Sequence, residues 1–533
     1  MENNLQKLYD IFMTYKPVVL AILDGYGRGP ETAANAIFKA AKPHIDYIEK
    51  NFPMTNLQAS GIAVGLPWGD AGNSEVGHLN LGAGRIVYQY LPRITLAIRN
   101  GSFFKLPALA GAAEHIKKNN SSLHIMGLIG NGNVHSYIDH LYGILEFAKR
   151  ENLQNVFIHA FADGRDAPPK DALDFYEKLQ AKLAADYPFA KIASVIGRHF
   201  AMDRTDNWDR TKTAYELLTE NKGEIFGNVQ AAVKSDYDKG ITDEFIEPKV
   251  IVKAPIKNGD AAVFIDFRED SARQLTRAFV EENFDKLQRK KIENLYFIAM
   301  TRYEKNLPIH VLFEPLEIKN TLAQVMADAG KKQIHIAETE KYAHVTYFFN
   351  GGIEAPLPNE ERELATTKKD HDFAANPAMS AGEVTEKLLE ALNSKNYDLI
   401  IVNYANADMV GHTGNFRATV AAVETLDNEI GKIMPEILEI GGALIITADH
   451  GNADMKINLL TGVPSTEHSS NPVPIYLIEN DFKKEKSQEK IEMEKIEING
   501  ILADVAPTIL ELMGLPQPPE MTGKSLLKLF AEK

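Results

Sequence analysis

A chain of 533 residues with 44% hydrophobic side chains is too long for one ordinary core and apolar enough to bury two. The absence of cysteine removes disulfides, thiolate nucleophiles and cysteine-based zinc sites, so any metal must be held by nitrogen and oxygen. With 58 basic against 73 acidic residues the net charge is −15, which repels nucleic acid and anionic membranes and obliges an anionic substrate to find a local island of arginines.

The N-terminal stretch MENNLQKLYDIFMTYKP carries charges where a signal peptide needs an uninterrupted apolar core, and no later apolar run reaches the length of a membrane span. A cytoplasmic protein is expected. Short β-branched runs predict strands at 17–24 (PVVLAILD), 123–130, 155–163, 191–197, 261–267, 295–300, 332–337, 398–406 and 443–449. Amphipathic stretches predict helices starting near Thr32, Ser136, Lys170, Trp208, Ser271, Leu322, Ala381, Ala422 and Ala503, the last ending before Gly514. This alternation predicts an α/β architecture with a largely parallel sheet. The Lys- and Glu-rich stretch 480–499 predicts a solvated excursion before the last helix.

Three carboxylates fall at the carboxyl ends of predicted strands, the edge at which open α/β sheets bind ligands: Asp24 in LDGYG, Asp408 in NADMVGH and Asp449 in TADHGN. With them go His412, His450, His468 in STEHSS and Ser74 in GNSEVGH. Carboxylates and imidazoles in these numbers suit two divalent cations, and one hydroxyl suits a metal-activated nucleophile, which points to phosphoryl transfer. Each residue alone has a plainer reading. Asp24 reads as a turn or cap residue, His468 as a structural histidine, Asp408 and His412 as a solvent-facing i, i+4 pair, and Ser74 as the cap of the following helix. Their joint occurrence in Gly- or Asn-punctuated turns reverses those odds. A helix N-terminus at Ser74 also offers free N–H groups and a positive dipole end to a phosphate.

Between Ser74 and Asp408 lie enough alternating elements for a further domain. The predicted topology is one metal-binding domain from both chain ends, 1–91 and 309–533, and an inserted domain at 92–308, with seams near Pro92 and Pro308.

The motifs GLPWGDAGNSEVGHLNLGAGR, HAFADGRDAPP, GRHFAMDR, IAETEKYAHVTYFFNGG, NADMVGH and TADHGN resemble the cofactor-independent (2,3-bisphosphoglycerate-independent) phosphoglycerate mutases of the alkaline phosphatase superfamily. The resemblance runs from about Pro17 to about Leu527. It implies an alkaline phosphatase-like domain with two metal ions, usually Mn2+, and an inserted α/β transferase domain that clamps the glycerate; histidine with carboxylate equally accepts Zn2+ or Co2+. By motif match Asp408, His412 and His468 hold one ion, and Asp24, Ser74, Asp449 and His450 the other. His135, Arg165, Asp166, Arg198 and Arg204 match the glycerate-handling residues, while Arg268 and Lys341 match residues near the phosphate and the nucleophile. The implied reaction interconverts 3-phosphoglycerate and 2-phosphoglycerate in glycolysis and gluconeogenesis. It passes through a phosphoserine on Ser74, with Asp166 as acid and base in a closed cleft that excludes water. A monomer acting on this small-molecule substrate, with no nucleic-acid or membrane partner, is the family expectation.

A phosphopentomutase or metal-dependent phosphomonoesterase would use the same seven residues, but HAFADGRDAPP and GRHFAMDR favour the glycerate mutase. A catalytically silent metal-dependent binding protein would need a lost ligand or nucleophile, and none is lost. Some positions depart from the family pattern. FREDS has Ser271 where a second arginine is usual, with Arg273 as a possible substitute; Asn207 replaces a basic residue; and TTKKDHDF near residue 370 is shorter than usual.

Overall fold

The computed structural model describes residues 14–367, 372–458 and 460–533. Most of the N-terminal stretch read for a signal peptide, and the KKDH of TTKKDHDF, lie outside the described residues. The chain divides into two compact units, Met1–Gln89 with Glu317–Lys533, and Tyr90–Leu316. The second seam falls after the strand His310–Phe313 rather than before it, because that strand pairs in parallel with Tyr296–Thr301.

The first unit is built on an eight-stranded sheet. Its order is Glu360–Ala365, Gln333–Glu338, Leu399–Tyr404, Val18–Leu23, Ala443–Thr447, Val473–Ile478, Met54–Gln58, Ile498–Ile501. VVLAIL is buried at every position, as the continuous apolar run of a strand covered on both faces requires. It pairs in parallel with Leu399–Tyr404 on one side (Leu23↔Tyr404) and Ala443–Thr447 on the other (Ile22↔Thr447). These three central strands therefore end side by side, and the segments bearing Asp24, Asp408 and Asp449 leave the sheet at one edge. Val473–Ile478 runs antiparallel to both its neighbours.

All nine predicted strands are present, and the misses are short, polar, at an edge or interrupted by proline. MTNLQ and the charged EERELA lack the apolar periodicity that marks a strand, and VPIYLI carries Pro474. The helix expected near Ala422 starts earlier, at Phe416, because Asn415 caps it by accepting from the Ala418 N–H at 3.1 Å. The expected solvated excursion at 480–499 is corrected. It folds as a turn Asn480–Phe482, a helix Gln488–Ile496 with Ile491 buried, and the edge strand Ile498–Ile501. Lys486 and Glu494, paired at 2.5 Å and both buried, hide inside what reads as surface charge, and Lys486 also donates to the Phe52 carbonyl at 2.7 Å.

The second unit carries its own eight-stranded sheet. Its order is His310–Phe313, Tyr296–Thr301, Ala261–Phe264, Leu123–Leu128, Val156–Ala162, Ala190–Gly197, Lys249–Val250, Glu224–Ile225. The pairing is parallel except between Ala190–Gly197 and Lys249–Val250. Among the described residues no helix is long and apolar enough to cross a membrane.

Ile401 is fully buried in the strand beside Val18–Leu23, so Ile401→Ala leaves a cavity in the sheet that carries the site. The expected loss is about 3 kcal/mol, within the roughly 2–5 kcal/mol seen for such truncations, measured as a lower urea midpoint.

Candidate active site

The helix Ser74–Ala83 starts at the candidate nucleophile, but its cap is Asn73, whose side chain accepts from the Val76 N–H at 3.0 Å. The capping role read for Ser74 therefore belongs to its neighbour, and the serine hydroxyl is left for other contacts. Ser74 Oγ lies 3.2 Å from Asp24 Oδ1, 3.0 Å from His450 Nε2 and 2.6 Å from Lys341 Nζ. Lys341 ends the turn Thr339–Lys341 after the strand Gln333–Glu338, and its ammonium also reaches Asp24 Oδ1 at 2.7 Å and Asp408 Oδ2 at 2.6 Å. Two glycines admit this crowding. A β-carbon at Gly25, where φ is +74°, would stand 2.8 Å from Asp408 Cα, and one at Gly77 would stand 2.6 Å from the Asp449 carbonyl oxygen.

Asp408 sits in the short helix Asn406–Gly411, which puts His412 on the same face. His412 Nε2 and His468 Nε2 each approach Asp408 Oδ1 at 3.2 Å and lie 3.0 Å from one another. The Nδ1 of His412 faces the Thr466 carbonyl at 2.8 Å, and that of His468 faces the Gly72 carbonyl at 2.8 Å. A carbonyl only accepts, so both Nδ1 atoms carry the proton and both Nε2 atoms turn lone pairs inward. Two lone pairs and a carboxylate oxygen facing one another need a cation or an added proton between them. The hydrogen bond from His412 to Asp408 raises the pKa of that imidazole accordingly.

Asp449 Oδ1 accepts from the Gly25 N–H at 3.3 Å and the His450 N–H at 3.0 Å. Its Oδ2 is buried without a hydrogen bond: His78 Nδ1 stands 3.2 Å away but is turned to the Ser74 carbonyl at 2.8 Å. Asp24, Asp449 and His450 are fully buried, with Asp408 and Lys341 nearly so. Asp24 and Asp408 thus share one ammonium, and Asp449 adds a third buried carboxylate near it. Burial works to push Lys341 down, but Asp24, Asp408 and Asp449 outweigh it and raise its pKa. Burial likewise opposes the charge on Asp449, yet His450 and His78 hold its carboxyl well below the usual range. His450, lowered by burial, is carried up to about 9 by Asp449 and Asp24.

The residues fit divalent cations. Three convergent groups exist among the described residues: Asp408, His412 and His468; Asp24, Asp408 and His450; and Asp24, His78 and Asp449. The excess of buried carboxylate, the paired lone pairs and the unpartnered Asp449 oxygen are all features a cation would satisfy.

The composition of the second and third groups was only partly legible. His78 lies four residues after Ser74 on one helix face, a signal present in GNSEVGH. Asn403, a polar residue inside the apolar strand LIIVNY, donates to Asp24 Oδ2 and lies by His78 Nε2, each at 2.9 Å. Asn452 donates to Asp408 Oδ1 at 2.7 Å.

The second unit assembles most of its expected residues around two acids. Arg198, at the start of the short helix after Ala190–Gly197, donates through Nη1 to Asp163 Oδ1 and Asp166 Oδ2, each at 2.7 Å. His135 stands 3.8 Å from both Asp166 and Asp270, its pKa pushed down to about 4 by burial and by Arg198. Asp270 draws Arg204 to 2.5 Å and Arg268 to 3.3 Å. Arg165 turns instead to Glu244, with Nε and Nη2 at 2.8 and 2.5 Å from one oxygen. Each of these arginines already holds a carboxylate. Asp163 lies in HAFADGRDAPP and Asp270 in FREDS, but neither is singled out there, and Glu244 lies in no quoted motif. Ser271 is buried, and Arg273 donates to the Tyr303 carbonyl at 3.0 Å. Asn207 caps the helix Trp208–Glu220.

The α/β fold and the convergent histidines and aspartates define a metalloenzyme: the model of the metalloenzyme superfamily matches residues 16–517. The 2,3-bisphosphoglycerate-independent phosphoglycerate mutase of Clostridium novyi (strain NT) is 49% identical over 97% of this chain and 100% of its own. That of Clostridium beijerinckii (strain ATCC 51743 / NCIMB 8052) is 48% identical over 97% and 99%. Among solved structures, the Leishmania mexicana phosphoglycerate mutase at low cobalt concentration is similar, with a TM-score of 0.55 and 29% identity over 96% of this chain and 98% of that one. The chain belongs to the 2,3-bisphosphoglycerate-independent phosphoglycerate mutases, a family of isomerases.

His468→Ala removes one of the three members of the group Asp408, His412 and His468 while leaving the other groups intact. Metal analysis after gel filtration in Mn2+ is expected to fall from about two ions per chain to about one.

Proposed function

We propose that the chain interconverts 3-phosphoglycerate and 2-phosphoglycerate without added 2,3-bisphosphoglycerate, through a phosphoserine on Ser74. The observation that carries this reading is the convergence of Lys341, His450 and Asp24 on one buried serine oxygen. On this reading Asp408, His412 and His468 would hold one Mn2+, and Asp24, Ser74, Asp449 and His450 a second. When bound, the ions supply Lewis-acid charge that lowers the cost of negative charge on serine and phosphoryl oxygens.

The protein's own groups account for the remaining steps. Lys341 donates to Ser74 Oγ and offsets the charge that builds there as the hydroxyl proton leaves. The Ser74 hydroxyl proton passes to Asp24 Oδ1, its acceptor at 3.2 Å, Ser74 Oγ attacks phosphorus, the bond to the 3-oxygen breaks, and that oxygen takes a proton from Asp166. The 2-hydroxyl then returns a proton to Asp166, attacks the phosphoserine and frees Ser74, which takes its own proton back from Asp24. Arg198, already bonded to Asp166, fixes that carboxyl in place. Arg165, Arg198, Arg204 and Arg268 offer forked donors to the glycerate carboxylate and phosphate in exchange for the acids they hold in this structure. Hydrolysis is avoided only while glycerate stays bound and water stays out. A cytoplasmic, monomeric enzyme completes the proposal, supported by a cysteine-free composition that suits a reducing compartment.

A coupled assay without bisphosphoglycerate tests the scheme. Chelation with EDTA should remove the activity and Mn2+ restore it. Ser74→Ala should lower turnover by about 10⁴-fold or more, as loss of a nucleophile does elsewhere. Phosphate release without isomerisation, or a requirement for added bisphosphoglycerate, would refute it.

A further inference from the structure

Lys456 is a buried lysine that the chemistry above does not use. It is fully buried and forms no ion pair among the described residues, an unusual state because an ammonium without a carboxylate is costly to bury. Its Nζ donates to the Gly411 carbonyl at 3.1 Å and to Asn452 Oδ1. An ammonium can only donate, so the carbonyl end of Asn452 must face Lys456 and its Nδ2 must face away. There Nδ2 meets Asp408 Oδ1 at 2.7 Å and the Asp408 carbonyl oxygen at 3.3 Å.

The opposite orientation of the amide would set Nδ2 against the ammonium and Oδ1 against the carboxylate, two repulsive contacts in place of two attractive ones. Glycine at 411 lets the amide come this close: a β-carbon there would stand 2.5 Å from Asn452 Oδ1. The oxygen that Asn452 holds, Asp408 Oδ1, is the one that faces His412 Nε2 and His468 Nε2. Outer groups that orient a ligand in this way tune metal affinity without touching the metal.

We propose that Lys456 is a positioning residue for the cation at Asp408, His412 and His468, acting through Asn452 to keep Asp408 Oδ1 aimed at the two imidazoles. The inference rests on the metal-holding role proposed above for those three residues.

The test titrates Mn2+ alone into the chelator-stripped full chain by calorimetry, with metal-free melting temperatures recorded alongside. Lys456→Met is expected to weaken one of the two binding events by about 10–100-fold and to leave the other within about threefold. Asn452→Ala should weaken the same event. Because both changes cut one link, the double variant should bind no more weakly than Asn452→Ala alone. A lysine that merely supports the fold would lower the melting temperature and leave the Mn2+ affinities in place. Parent-like binding by Lys456→Met, or losses that multiply in the double variant, would overturn the proposal. So would parent-like binding by Asn452→Ala, even if Lys456→Met did not fold. A parent chain that binds no Mn2+ would instead remove the metal reading itself, and this inference with it.

Discussion

Three buried carboxylates held against a single ammonium are the constraint on which the first unit is organised. Asp24, Asp408 and Asp449 come from the ends of three adjacent parallel strands, and Lys341 reaches Asp24 and Asp408 at once. Anionic groups withdrawn from water demand compensation, and one lysine is too little for three of them. The rest of the site answers that demand in part. Asn403 and Asn452 donate to the carboxylates, and glycines at 25 and 77 let the backbone approach closely enough, while the lone pairs that His412 and His468 turn toward Asp408 add to the need for a cation. Ser74 enters this field as the one alcohol among the described residues whose oxygen touches an aspartate, an imidazole and the ammonium together.

The second unit solves the opposite problem. Arg165, Arg198, Arg204 and Arg268 would be the natural attractors of a phosphoglycerate, yet each holds Glu244, Asp163 and Asp166, or Asp270. Recognition on the proposed reading is therefore an exchange of partners rather than capture by open charge. Such an exchange favours ligands that offer forked oxygens in the right geometry over any passing anion. It also explains how a chain with a net charge of −15 keeps a cluster of arginines in order.

Much of this was legible in the sequence, for identifiable reasons. Long apolar runs such as VVLAIL and LIIVNY are unambiguous as buried parallel strands, and a carboxylate just beyond each is a readable signal. Edge strands are not readable in that way: EERELA pairs with Gln333–Glu338 despite its charges because one face of an edge is open to water. Composition also conceals pairs, as in 480–499, where Lys486 and Glu494 are buried together while their neighbours are exposed. The direction in which Arg165 points depends on Glu244, far along the chain, and no local pattern contains it. Asn73 rather than Ser74 as the helix cap is a choice between adjacent capping residues that backbone geometry decides.

The central claim is that the anionic cage exists to hold paired divalent cations beside Ser74. Diffraction at the manganese absorption edge, from crystals of the full chain grown with Mn2+, tests it most directly. The account predicts two anomalous peaks roughly 3.5–4 Å apart, one against Asp408, His412 and His468 and one against Asp24, Ser74, Asp449 and His450. A cage without manganese, its carboxylates still satisfied by Lys341 alone, would contradict it.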